Sequence, residues 1–537
     1  MPARLGMGSA RRGRGDIDMT EVRLALAGAL LALSAWAVAQ TTPSAVQTGP
    51  VDADFAEVDR LAQDYLKRYG QPGASLVVAW GDRIVYAQGY GWADREAGVP
   101  TSPWLEYRLA SVSKSFTAAA VMRLIEQGRV ALDTQAWSYV SAAMGGEPTD
   151  ARIKQVTVRQ LLTHSWGLDR AVAADPMGSW VRENGQVLTT CPQMLRYQLL
   201  RMTLNFNPGA RYAYNNTGYC WLDLIAQTVD GRPLESQLSE MLGPEPLSTG
   251  RVRVGSVLPA QVTPEEPHHY DYAGAPQQQP VPGLYPAPEP ALVPRPYGYY
   301  TLAGYGGSGG LMASPLTVMR FVQRLQGIRQ PALLQPQTWN LMQTEQVLPD
   351  GTRNAGLGVQ SILAWTGYPD RWYSFQGNIL GTRTGWLSTP RSPGGPMVTI
   401  VGAVNGTRSW PSDGMADDNI FTELLYPVLY ALDALGTSKL TAKTEIATDR
   451  LIAWGSTTES WLADRLFDWG ERTYPQLLQG APVAGEYDGY RYRYYAPTQT
   501  YVGVKNGQVV LYQPAVSSSI VSLGTLADFL PAATSRP

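Results

Sequence analysis

The sequence predicts an α+β fold: an antiparallel β-sheet flanked by helices, with an all-helical lobe inserted and a small β module appended. Three observations carry this. Strand-like runs lie at Ala74 to Asp94 ("ASLVVAWGDRIVYAQGYGWAD") and again between Ser374 and Gly406. The stretch between them, from about Ser113 to Leu242, keeps helical periodicity. Strands first, helices in the middle and strands again suit a sheet built from both chain ends, whereas βαβ winding would alternate the two.

Taken in order, the chain opens on an apolar run of signal-peptide length, Leu24 to Val38. It is too short for a comfortable membrane span, and Ala37-Val38-Ala39 before Gln40 is a small-x-small cleavage pattern. Residues 1–39 therefore read as a cleaved signal peptide with Met19 as the working start, and the mature protein as exported, periplasmic or secreted, without a stable membrane span. Phe55, Val58, Leu61, Tyr65 and Tyr69 mark an amphipathic first helix. The run from Ala74 to Asp94 divides at Gly81-Asp82 into a hairpin. Loop signals at Gly145 and Gly185 break the helical middle.

Residues 258–296 are rich in Pro and Gln without periodicity, which reads as a functional rim or a mobile insert. Helical pattern returns at Pro315 to Leu325. "SFQGNILGTRTGWL" (Ser374 to Leu387) and "PMVTIVGAVNG" (Pro396 to Gly406) read as strands, and a helix near Ile420 to Leu435 closes the region. The main domain is thus residues 40–437. A helical linker, 438–484, carries Trp461, Leu462, Leu466 and Trp469. A Tyr-rich module, 485–537, shows period-2 alternation around an Asn506-Gly507 turn.

Composition narrows the function. The balance of 43 basic against 45 acidic residues leaves no footprint for nucleic acid. The 29 Tyr and 16 Trp against 8 Phe suit clefts at the water boundary. Cys191 and Cys220 can form one disulfide in an exported chain, or remain two buried thiols.

The chemistry concentrates at "LASVSKSF". Ser111 and Lys114 stand one helical turn apart at the start of a helix with Phe116, Ala119, Ala120, Leu124 and Ile125 on its apolar side. A serine needs a base to become a nucleophile, and a lysine at i+3 supplies one if burial lowers its pKa. A helix N-terminus adds N–H groups for a developing oxyanion. About a hundred residues on, "PGARYAYNNTGY" sets Tyr214-Asn215-Asn216 before another helix; tyrosine can relay a proton, and asparagine can hold the lysine or bind a substrate amide.

"RLASVSKSFTAAAVMRLIEQGRVALD", "VTVRQLLTHSWGLD", "PGARYAYNNTGY" and "GGSGGLMASPLTVMRFVQRL", in that order, resemble the serine β-lactamase and penicillin-binding-protein superfamily in its class C-like branch, which also holds esterases, D,D-peptidases and D-aminopeptidases. The resemblance runs from about Phe55 to Ala434 and implies a β-lactamase/transpeptidase-like fold. It implies Ser111 as the acylated serine, Lys114 and Tyr214 as its proton carriers, and Asn216 as the asparagine of the Y-x-N element. The third element departs from the pattern of Lys-Thr-Gly or His-x-Gly. Phe375-Gln376-Gly377 fits best, since "GNILGT" parallels the family's "GxLPGT"; Arg383-Thr384-Gly385 is the alternative. In the first register Asn378 offers the second oxyanion N–H, and Phe375 replaces the cation that would bind a β-lactam or peptide carboxylate.

The resemblance therefore implies an acyl-enzyme hydrolase of esters or amides, weak or inactive on β-lactams. The alternatives are an impaired fold member that binds envelope peptide or glycan, and a true class C-like β-lactamase. Its partners would be a small-molecule or short peptide substrate, with cell-envelope association a further option; no cofactor or metal is implied.

Gly306-Gly307-Ser308-Gly309-Gly310 matches a nucleophile elbow, but that fold needs a histidine after the serine, and His164, His268 and His269 all precede Ser308. The glycines read instead as a tight turn before Pro315. His268 and His269, with Glu265, Glu266 and Asp271 nearby, lack metal-ligand spacing. His164 reads as structural.

Overall fold

The computed structural model describes residues 46–525 apart from short stretches, of which 272–278, 281–291, 363–371, 408–418 and 447–462 are the longest. The apolar run at Leu24 to Val38, the Asn506-Gly507 turn and Trp461, Leu462 and Trp469 lie outside the described residues. Among the described residues, no helix is long and apolar enough to cross a membrane.

Seven strands make one antiparallel sheet: β1 (Gln47–Thr48), β2 (Gly73–Trp80), β3 (Arg83–Asp94), β4 (Gln360–Ile362), β5 (Trp372–Ile379), β6 (Thr382–Pro390) and β7 (Met397–Val404), with Val99–Pro100 added against β3. Their order is β1-β3-β2-β7-β6-β5-β4. The sheet closes where β7 pairs with β2, from Val398 opposite Trp80 to Val404 opposite Ala74. The β2–β3 hairpin turns at Gly81, whose φ of +60° suits glycine.

The run Ser374 to Leu387, read above as one strand, is two. It folds back at Leu380-Gly381, and Gly381 has φ +84°.

Both faces of the sheet are covered, and all eight residues of β2 are buried. Leu76, Val78 and Trp80 join an outer core with α1 (Ala56–Tyr69) and the helix Tyr426–Leu435; Val77 and Ala79 join the inner core under the helical lobe. Helix α1 buries Val58, Ala62, Tyr65 and Leu66, carries Glu57 and Asp59 in its first turn and Lys67 and Arg68 in its last, and stops at Gly70.

Inserted between β3 and β4 is the lobe, in which α2 (Ser113–Glu126) and α3 (Thr217–Asp230) pack together in the inner core with α4 (Pro315–Leu325). A disulfide joins Cys191 to Cys220 on α3. A second, three-stranded sheet of Tyr107–Arg108, Leu311–Ala313 and Arg253–Val254 sits at the root of α2.

After the closing helix come β8 (Val483–Tyr487), β9 (Tyr490–Tyr495), β10 (Thr500–Lys505), β11 (Gln508–Tyr512) and β12 (Val521–Thr525), a five-stranded meander. One face carries Tyr495, Val502, Val504 and Val509, all buried. Glu471, from the preceding helical residues, accepts from the Tyr495 hydroxyl and the Arg493 guanidinium, each at 2.8 Å. The other face lines up Tyr492, Tyr494, Tyr501 and Tyr512, with Tyr494 and Tyr501 stacked at 4.3 Å.

Candidate functional site

Ser111 sits in the single 3-10 turn Ala110–Val112 that feeds α2. Ala110 has φ +45°, a left-handed conformation that a residue with a Cβ rarely adopts. Strain of this kind, about 1–3 kcal/mol, persists only where the surroundings hold it, and such positions cluster at functional sites. The turn is held: the Val112 N–H donates to the Leu109 carbonyl, which also accepts from the Thr384 hydroxyl at 2.7 Å.

Lys114, fully buried one turn along, donates to Ser111 Oγ (3.2 Å), Asn216 Oδ1 (2.8 Å) and the Ser308 carbonyl (2.6 Å). The Tyr214 and Tyr219 rings lie 4.9 and 5.7 Å from its Nζ. All these partners are neutral. Burial therefore pushes the Lys114 ammonium down to about 7; the Asp175 carboxylate opposes the shift, and Arg170 adds to it.

The Tyr214 hydroxyl donates to Ser111 Oγ at 2.7 Å, and burial pushes its pKa up to about 12. Ser111 Oγ thus stands between a lysine whose ammonium burial destabilises and a tyrosine that keeps its proton.

The two asparagines divide the work. Asn215 is wholly buried and saturated: its Oδ1 accepts from Trp166 Nε1 and the Gly218 N–H, and its Nδ2 donates to the Leu168 and Ala213 carbonyls. It supplies the helix-start contacts, which leaves Asn216 to face Lys114. Asp175 fixes Asn216 from behind, accepting from its N–H at 2.7 Å and from the Thr217 hydroxyl at 3.0 Å. His164 is buried at φ +52° with its ring against Tyr214 and Tyr219; burial holds its pKa well below the usual value, so it packs as a neutral ring.

On the opposite side lies β5. A Cβ added to Gly377 would stand 2.1 Å from the Leu109 carbonyl and 2.8 Å from the Ser111 nitrogen, so only glycine permits this approach. The segment 375–377 is therefore the one beside Ser111. Arg383 and Gly385 lie on the next strand, β6, and point the other way. Arg383 is buried and donates to the Gly406 carbonyl, and Gly385 faces Ile420 and Leu425. Phe375 packs into the inner core, 6% exposed, and presents no charge. Gln376 is half-buried and Asn378 exposed. Among the described residues β4 pairs with β5 only from Trp372 to Ser374, so Phe375 to Asn378 form the strand's open edge.

Two contacts have no counterpart in the sequence reading. Ser308 contributes its backbone carbonyl, from the glycine-rich turn read above only as a lead into a helix, and Asp175 its carboxylate, from a loop with no motif of its own. The Gly306–Ser308 segment is a 3-10 turn over Lys114, followed by the strand Leu311–Ala313, rather than a simple lead into α4. The histidine pair resolves differently as well. His269 is buried among Glu266, Arg108 and Arg253, with Glu266 3.3 Å from its Nε2, in an ion-pair network. His268 stands by Asp94 and Glu96, and these three are the grouping among the described residues with metal-like spacing, their ligand atoms within 4.8 Å of one another.

The family model described as Beta-lactamase matches residues 58–424, which contain every residue of this cleft. The chain belongs to the beta-lactamase family. Several solved structures share the fold at low identity. The octameric penicillin-binding protein homologue from Pyrococcus abyssi aligns at TM-score 0.52 and 20% identity over 87% of this chain and 90% of that one. EstCE1, a hydrolase with promiscuous acyltransferase activity, aligns at 0.53 and 20% over 71% and 98%. The D-amino acid amidase from Ochrobactrum anthropi SV3 aligns at 0.51 and 20% over 72% and 100%. Among curated relatives, Protein flp of Staphylococcus aureus is 25% identical over 173 residues, 32% of this chain; the chain matches about a third of that relative's length (33%).

Proposed function

We propose that this beta-lactamase-family protein is a serine hydrolase that cleaves ester or amide bonds through an acyl-enzyme. The observation that carries the reading is Lys114, buried, hydrogen-bonded to no carboxylate among the described residues, and within hydrogen-bond reach of Ser111 Oγ. Neutral Lys114 takes the Ser111 proton as Oγ bonds to the substrate carbonyl carbon. The Ser111 and Asn378 N–H groups hold the oxyanion. Tyr214 gives its proton to the departing oxygen or nitrogen and regains one from Lys114; water then releases the acyl group by the same route.

Phe375 at the third element favours substrates that need no cation for a carboxylate, of the ester or D-amino-acid amide type, over β-lactams. The same feature supports the rival reading, an impaired binder of envelope peptide or glycan. The apolar run before Gln40 and the Cys191–Cys220 bond fit an exported protein. Cleavage after Ala39 gives one defined mature mass by intact-protein mass spectrometry of the secreted or periplasmic fraction.

The deciding experiment is Ser111→Ala. Wild type is expected to hydrolyse a p-nitrophenyl ester and to be labelled by a fluorophosphonate, and the variant to do neither. Activity that survives in the variant sinks this mechanism, and an inert wild type favours the binding protein. A chromogenic cephalosporin assayed beside short-chain esters and D-amino-acid amides assigns the substrate class.

A further inference from the structure

Asp223 is a buried carboxylate that the steps above do not use. It lies on α3 two turns beyond Asn216 and is 3% exposed. No cation pairs with it among the described residues; its oxygens accept from the Gly307 N–H and from Gln227 Nε2, each at 2.8 Å. Burial pushes its pKa up to about 6, so keeping a carboxylate here has a cost that a leucine would avoid. The group it holds is specific. Gly307 is the middle of the Gly306–Ser308 turn, and the next carbonyl, that of Ser308, accepts from Lys114 Nζ at 2.6 Å. Thr117 Oγ1, on the helix of Lys114, donates to the Gly307 carbonyl at 2.7 Å and so holds the next peptide group of the same turn. The fit leaves no slack: a Cβ at Gly306 would lie 2.5 Å from Asp223 Oδ2, and one at Gly307 2.4 Å from Thr117 Oγ1.

We propose that Asp223 is a positioning residue for the lysine base: through the Gly307 N–H it fixes the turn whose Ser308 carbonyl aims Lys114 at Ser111. The inference rests on the hydrolase reading. Asp223 touches neither substrate nor Ser111, so its removal acts on kcat. Without the carboxylate the turn relaxes, the Ser308 carbonyl leaves Lys114 Nζ, and the amine loses one of the three acceptors that orient it. Displacements of about 1 Å at such a group cost up to about a hundredfold in rate.

The test uses the full chain and an ester substrate. Asp223→Ala is expected to lower kcat and the rate of fluorophosphonate labelling by about 10- to 100-fold with KM within about threefold. Asp223→Asn, which keeps an acceptor oxygen for the Gly307 N–H, restores most of kcat. Thr117→Val removes the second hold and lowers kcat by a smaller factor, again at constant KM. Unchanged kcat in Asp223→Ala overturns the proposal, as does equal loss in Asp223→Asn, which would point to the charge instead. If Asp223→Ala fails to fold by thermal melting, Thr117→Val decides, and an unaltered kcat there overturns it. Absence of Ser111-dependent hydrolysis in wild type sinks the hydrolase reading itself, an outcome distinct from an active enzyme indifferent to Asp223.

Discussion

On one side of Ser111, α2, α3 and the Gly306–Ser308 turn surround Lys114 with three hydrogen-bond acceptors and two aromatic rings. On the other, β5 approaches the serine through a glycine and offers Phe375, Gln376 and Asn378, without a charged side chain. The first wall is dense with polar contacts and buried; the second is an open strand edge. On the proposed mechanism the difference separates two tasks. Generating a nucleophile requires a desolvated amine in a fixed network, whereas selecting a substrate requires backbone groups and side-chain shape at the water boundary. Changes on the helical wall should strike kcat for every substrate, and those on the strand wall should redistribute activity among substrates.

The largest expected effect is Lys114→Ala: a loss of about 10³-fold or more in kcat for all substrates, since base and network vanish together, checked by steady-state kinetics with folding verified by circular dichroism. Equal loss only on β-lactams would break the division between the walls. Tyr214→Phe keeps the ring beside Lys114 and removes the proton donor; kcat should fall about 10²-fold, more steeply for amides, whose leaving nitrogen needs the proton more than an ester oxygen does.

The pH profile tests the helical wall without mutation. The base must be neutral, and burial holds Lys114 at about 7, so kcat/KM should rise with pH and level off above about 7. Tyr214, held at about 12, stays protonated across that range, so no alkaline fall is expected near neutrality. The same depressed lysine pKa makes the unfolded chain bind the extra proton. Its contribution to stability therefore rises as pH goes from about 7 toward 10.5, the ordinary value of a solvated lysine, read as a rising melting temperature at constant salt once other groups are accounted for.

On the strand wall, Phe375→Lys should raise the ratio of cephalosporin to neutral-ester turnover by about tenfold. It should also lower the melting temperature, because a cation enters an apolar core. A falling ratio would mean that Phe375 itself contacts the acyl group. Asn378→Ala gives the smallest effect, within about threefold in kcat, since its proposed contribution is a backbone N–H that alanine also has.

Much of the helical wall was legible because its parts carry side-chain signatures. Ser111 and Lys114 stand a turn apart at a helix start, and Tyr214 and Asn216 stand together before another. The strand wall was legible only as a choice between 375–377 and 383–385; the hairpin at Gly381 puts the two segments on adjacent strands, with Gly377 against the Ser111 backbone and the Thr384 hydroxyl on the Leu109 carbonyl. Asp175 and Asp223 left no readable pattern, and the glycines around Ser308 did not mark its carbonyl as a contact of Lys114. The first two are lone acids on unrelated segments, and the third is a main-chain atom that any residue would provide. The histidine pair shows the same limit, since nothing in the Pro-rich stretch foretells that Glu266 and Arg108 converge on His269.

By itself the sequence determined the sheet-lobe-sheet order and the helix start at which Ser111 and Lys114 stand, because periodicity and short-range spacing encode local geometry, and its ordered motifs carried the resemblance to the family. Only the tertiary structure decided which strand meets the serine, which of two adjacent asparagines faces the lysine, and how far that lysine's pKa falls. Those depend on which groups from distant parts of the chain exclude water from one point, and desolvation is a property of the packed volume rather than of any segment.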